Sequence, residues 1–181
     1  MSRFSPILFK ILLLGVFGSV LAGPVLPMPL NQMAQRAELV VHADVIGKSV
    51  QKDDEGRIYT KVLLNIRDIW KGELSSTPFT LVHSGGILGN MQSSAQGEVS
   101  FRMGEEVVLF MIINSRGEGV SLAMNQGKFQ VERDSKNTAY VRNPFHGGRP
   151  PNAEKSSGYR LPTQLPLTIE TLKRQVLRQN S

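Results

Sequence analysis

Apolar and polar residues alternate with a period of two along most of the chain from Leu39 to Val131, and a stretch with helical spacing lies on each side. Leu39, Val41, Ala43 and Val45 share one face of a first strand, with His42, Asp44 and Lys48 on the other. Val50 falls out of that phase. One extra residue at Gly47 returns it to the core face, which is the signature of a β-bulge. Asp53-Asp54-Glu55-Gly56 reads as a hairpin loop, and the return strand alternates through Ile58, Thr60, Val62, Leu64 and Ile66. Trp70-Lys71-Gly72 closes this long bent hairpin, and Pro78 to His83 supplies a third strand. Val107 to Ile113 is apolar without interruption, so that strand is expected to be buried on both faces and central. Val120, Leu122 and Met124, then Phe129 and Val131, complete the β region.

Between the third strand and the central one, Ser84 to Gly97 carries Gly85, Gly86, Gly89 and Gly97 with no period, and reads as a long surface loop. Before the strands, Leu30, Met33, Ala34 and Ala37 recur at helical spacing after a Pro-rich spacer, with Asn31 as the expected N-cap. After them, Asn143 to Leu161 has the Pro/Gly content of a linker. A last helix is expected from Thr168 as N-cap, with Ile169, Leu172 and Val176 on one face and Lys173, Arg174 and Arg178 toward its end. The pattern therefore predicts a mainly β protein: a five-stranded OB-like barrel with a short N-terminal helix and a C-terminal basic helix. The expected organisation is 23–37 spacer and helix, 38–132 barrel, 133–167 Pro/Gly-rich basic linker, and 168–179 amphipathic helix.

The first 22 residues read as a cleavable signal peptide. Arg3 and Lys10 precede an apolar run from Ile11 to Leu21, and Val20 and Ala22 occupy the −3 and −1 positions of a cleavage site that leaves Gly23 as the new terminus. The run is shorter than the roughly 18 apolar residues a spanning helix requires, which disfavours a membrane anchor. Periplasmic or extracellular localisation follows as an expectation. No cysteine is present, so a compartment that permits disulfides receives a chain held by packing alone. Charge is uneven: ten Lys and Arg against twelve acids between Gly23 and Glu132, nine against three from Arg133 onward. Such a basic tail suits an anionic envelope surface, or an acidic partner, better than nucleic acid.

Several segments together resemble a group of secreted bacterial proteins of uncharacterised function: Ala37 to Gly47, Trp70-Lys71-Gly72, Ser84-Gly85-Gly86, Phe101 to Phe110 and Gln126 to Phe129. The domain of that group is similar to the OB-like barrel of netrin modules and tissue inhibitors of metalloproteinases. The resemblance spans roughly residues 37–132 and implies fold more than function. Those inhibitors present an N-terminal cysteine to the protease zinc, whereas Gly23 stands at the expected mature terminus here.

The chemistry of the chain points away from catalysis. His42, His83 and His146 lack the spacing of a metal site. His83 and Ser84 are adjacent, so on a strand they point to opposite faces, and no G-x-S-x-G elbow is present. Glu105 and Glu106 diverge for the same reason, and read as a charged start to the strand that discourages edge pairing. The Gly-rich loop has no Lys-Ser/Thr to cradle a phosphate. The expectation is an exported, non-catalytic binding module without cofactor or metal, whose partner is an envelope or secreted protein and not nucleic acid. Its contact surface is expected on the Ser84–Gly97 loop and the outward face of the first two strands, with Ser84, Gly85, Gly86, Asn90, Gln92 and Lys128 as contact residues. The alternatives are a protease inhibitor or protease-associated regulator, and an envelope-surface protein held by its basic tail.

Overall fold

A computed structural model of the chain describes residues 26–74, 76–94, 97–148 and 165–179. The expected signal peptide and residues 149–164 of the expected linker lie outside the described residues. The alternating stretches pair as a long antiparallel hairpin, β1 (Leu39–Lys52) and β2 (Ile58–Lys71). Its loop is tied by the Asp53 carboxylate, which accepts from the backbone N–H groups of Glu55 and Arg57, while Gly56 adopts φ +83°. The pairing register slips between Val45 and Gly47, which leaves Ile46 unpaired and confirms a bulge at this point. Beyond the slip, Lys48 opposes Val62 and Val50 opposes Thr60, both buried. Val50 thus regains the core side. The same extra residue moves Lys48 onto that strand face as well, where it stays exposed while its ammonium donates to the Phe101 carbonyl at 2.6 Å.

Five strands close the barrel. β2 pairs with β3 (Phe79–Ser84), β3 touches β7 (Gly119–Ser121) in parallel, β7 pairs with β6 (Glu106–Ile113), and β6 returns to β1. Two further short strands, β4 (Gly86–Leu88) and β5 (Met91–Ser93), form a hairpin between β3 and β6. The structureless loop expected over Ser84–Gly97 is therefore corrected to a hairpin. β8 (Lys128–Arg133) follows β7 on the same edge of β6, so the two are pieces of one strand broken by a 3-10 turn at Met124–Gly127. Ala123 and Met124 have positive φ at the break, and Gly127 lies so close to the Phe110 and Leu122 carbonyls that no side chain fits there.

Antiparallel to β8 runs β9 (Ala139–Arg142), inside the segment whose composition reads as linker from residue 133. Its one large apolar anchor, Val141, is fully buried. α1 (Leu30–Arg36) starts with Pro29 as the capping residue and no side-chain cap. The expectation for Asn31 is thereby corrected, because the chain turns helical one residue earlier and Asn31 already lies inside the first turn. α2 (Ile169–Arg178) is capped by Thr168, whose hydroxyl accepts from the Thr171 backbone N–H.

Two apolar layers hold these elements. Inside the barrel pack Leu39, Val41, Ala43, Val45, Val62, Leu64, Phe79, Leu81, Phe101, Val107, Leu109 and Met111. Val40, Trp70, Val108, Phe110, Phe129 and Val141 face the other way, and are covered by Met33 and Ala34 of α1 and Leu172 and Val176 of α2. Polar ties reinforce the outer layer: Lys71 donates to the last carbonyls of α1, Lys173 reaches Asp68 at 2.6 Å, and Gln126 accepts from the Met28 backbone N–H. Among the described residues no helix is long and apolar enough to cross a membrane.

Leu172→Ala should destabilise the fold by about 2–4 kcal/mol in urea unfolding, because the side chain is fully buried in the outer layer. A second effect comes from Glu118, which is almost fully buried. Burial disfavours its charge, but donors from Asn114, Arg116 and Lys61 outweigh that and hold its carboxyl at about 2, below the usual 4.5. A depressed carboxyl contributes stability above its unfolded pKa and loses it as pH falls toward the folded value. Glu118→Gln should therefore cost about 1–2 kcal/mol at pH 7, discounted for the exposed Arg116 and Lys61 partners, and the difference should close between about pH 5 and pH 2.

Candidate binding arm and cleft

β4 and β5 are joined by Gly89-Asn90, a two-residue turn in which Gly89 has φ +61°. That geometry suits a glycine at the first turn position. No other residue comes within contact of the space a side chain on Gly89 would fill, and Gly89 and Asn90 are both exposed. At the root, the Gly85 N–H donates to the Ile58 carbonyl at 2.8 Å, and the Thr60 hydroxyl donates to the Gly85 carbonyl at 2.8 Å. A side chain on Gly85 would run into the Glu98 carboxylate and the Ser93 carbonyl, and one on Gly86 into Thr60 and Val50. Both glycines are needed for the arm to sit down on β1 and β2.

The arm presents apolar surface without charge. Ile87 is 65% exposed and Met91 42% exposed, and no Asp, Glu, Lys or Arg occurs from Ser84 to Gly97. Met124, also half exposed, lies against Gly97 where the arm returns to the barrel. Of the residues expected to make contact, the structure brings together Ser84, Gly85, Gly86, Asn90 and Gln92 in this arm. Ser84, Asn90 and Gln92 are exposed there, and Gly85 is buried at the root.

Lys128 stands apart, on β8. Its ammonium donates to the Ser100 carbonyl and to both oxygens of Glu105, and it lies 4.7 Å above the centre of the Phe101 ring. Burial pushes this lysine below its ordinary pKa, and Glu105 opposes the shift. With its donors engaged inside the protein, Lys128 is a bracing cation at the floor of an open cleft of about 330 Å³. Glu98, Asn125, Gln130, Arg142 and Asn143 line the same cleft. Sequence reasoning missed Ile87, Met91, Glu98, Asn125 and Gln130. For the first two a signal existed: Gly-Asn between Ile-Leu and Met is a hairpin turn between apolar flanks. Convergence of the others depends on β8 and β9 meeting the segment after the arm, which no local pattern announces.

The histidines separate. His42 Nε2 meets Glu106 at 2.8 Å on the outer side of β1, and Arg67 and Arg133 reach the same carboxylate oxygen at 3.2 and 2.8 Å. Glu105 and Glu106 accordingly diverge, each neutralised within the fold. His83 Nδ1 donates toward the Ser84 carbonyl at 2.8 Å and the Glu98 carboxylate at 3.1 Å. Its Nε2 is buried with no hydrogen-bond partner among the described residues. That pair has the base and orienting carboxylate of a nucleophilic triad, but no hydroxyl meets the nitrogen that would accept the proton. His146 packs on Phe129, near Asn143, and burial lowers its pKa. Among the described residues no three His, Cys, Asp or Glu side chains group as a metal site. No family model matches this chain, and comparison with curated proteins finds no significant match.

Gly85→Ala should loosen the arm at its root, with a loss of about 1–3 kcal/mol from the positive φ and the clash with Glu98. Amide hydrogen exchange should accelerate through residues 86–93. Gly89→Asn, in open space at a φ that asparagine tolerates, should cost under about 1 kcal/mol and leave the root protected. Equal effects at the two positions would contradict the anchoring described.

Proposed function

We propose that this chain is an exported, non-catalytic protein-binding module, and that the β4–β5 arm is its contact surface. The observation that carries the reading is the arm itself: a charge-free hairpin with Ile87 and Met91 open to solvent, seated on a barrel by glycines that fit no other residue. Exposed apolar surface in one place marks an interaction site, and flexible methionine side chains adapt to a partner's contour. Export is supported by the signal-peptide pattern of the first 22 residues.

The alternative of a protein held to an anionic envelope surface by its basic tail draws less support. Arg133, Arg142 and Lys173 of that tail are already paired with Glu106, Glu132 and Asp68. Protease inhibition rests on the resemblance alone.

A photo-crosslinking residue placed at Ile87 should give discrete protein adducts in the exported fraction, and one at Gln175, exposed on α2 where Lys173 pairs with Asp68 toward the far end of β2, should not. The purified chain should begin at Gly23. Identical adduct patterns at the two sites, or retention of residues 1–22 in a cytoplasmic pool, would count against this reading. So would hydrolysis of an ester, peptide or glycan panel that Ser84→Ala abolishes.

A further inference from the structure

The free edge of β5 has none of the features by which the rest of the sheet avoids pairing with another chain. Every barrel strand has neighbours, and β9 is covered on its outer side, where Val141 donates to the Leu167 carbonyl and Tyr140 bridges Thr168. Where a barrel strand runs beyond its partner, charge guards it: Lys48 and Lys52 with the bulge on the far half of β1, and Arg67, Asp68 and Lys71 on β2. Such lysines and bulges are the usual protection of exposed edges. β5 reads Met91-Gln92-Ser93, all exposed, with no charge, proline or bulge, and among the described residues only β4 pairs with it.

Hairpin geometry says which groups are free. With a two-residue turn, Leu88 and Met91 exchange hydrogen bonds across the hairpin, so the N–H and C=O of the next pair, Ile87 and Gln92, point away from each other. Gln92 therefore offers one donor and one acceptor side by side along the outer edge of the arm. An antiparallel copy of the same edge offers the same two groups in reverse order. A two-fold axis at Gln92 lets each N–H meet the other's C=O, a self-complementary contact in which uncharged side chains face each other.

We propose that the arm pairs with the arm of a second copy of this chain, β5 against β5, to make a four-stranded sheet across a two-fold axis. The pairing rests on the reading of the arm as a contact surface and names its partner. It also gives the arm what a two-stranded hairpin lacks, since isolated hairpins are marginal in water and further strands stabilise them. Three-residue strands bury little area, so the association is reversible and concentration-dependent.

Sedimentation equilibrium of the chain recovered from the exported fraction tests this. Its weight-average mass should climb toward that of two chains as concentration rises. Gln92→Lys and Gln92→Glu, both at an exposed position, should each weaken association at least about ten-fold by setting like charges face to face. An equimolar mixture of the two variants should restore it. A wild-type mass that stays at one chain up to about 1 mM overturns the pairing, as does a dimer that neither variant weakens or a mixture that stays monomeric. Monomeric behaviour with Ile87 adducts to a different protein would remove the second copy and leave the arm as a contact surface. Absence of both association and adducts would remove the contact surface as well.

Discussion

Glu106–Ile113 is apolar on both faces, and that single strand imposes two requirements on everything around it. Val107, Leu109 and Met111 need a barrel interior, while Val108 and Phe110 need a cover on the outside. A strand that alternated in the ordinary way would have let the barrel stand bare. Here β8 and β9 extend that outer face with Phe129 and Val141, both helices must fold over it, and each buried aliphatic or aromatic side chain withheld from water contributes about 1.5–3 kcal/mol to keeping them there. With no cysteine in the chain, packing carries this load without a covalent brace.

That requirement explains what the sequence discloses and what it hides. The barrel strands are legible because period two is local: each strand's face is written in its own residues, and a phase slip such as that at Gly47 marks its own bulge. Lys48 misleads for the same reason, since its side depends on whether the bulge precedes it. β9 is hidden because one valine anchors it, too little to form a period. The split between β7 and β8 is visible at Gln126-Gly127, but its start is hidden because Leu122 and Met124 continue the apolar pattern past Ser121, where the backbone has already left the sheet.

The arm shows a different limit. Its glycines mark irregular backbone but do not distinguish a loose loop from a hairpin seated on a neighbour. What decides the matter is non-local: Gly85 must fit beneath Glu98, thirteen positions further along the chain, and Gly86 must fit over Val50 and Thr60. Lys128 was expected among the contact residues and is instead an internal brace. Its burial follows from Glu105 and the Ser100 carbonyl converging on it, a meeting of β8 with the chain just before β6. The candidate surface was thus legible in its location and composition, and illegible in its shape.

Gly148 and Leu165 are joined backbone to backbone, the N–H of one donating to the carbonyl of the other at 2.8 Å. Gly148 also bridges Pro166 in parallel, so two stretches distant in sequence run side by side here, one just after β9 and the other just ahead of α2. With the Val141 N–H to Leu167 carbonyl bond and the Tyr140–Thr168 bridge, this pairing carries the edge of the sheet onto the residues that lead into α2. The helix that covers the outer layer is thus moored to the barrel by backbone as well as by side chains. The cover is stitched on at its first turn, and its far end at Arg178 is the end that would lift first.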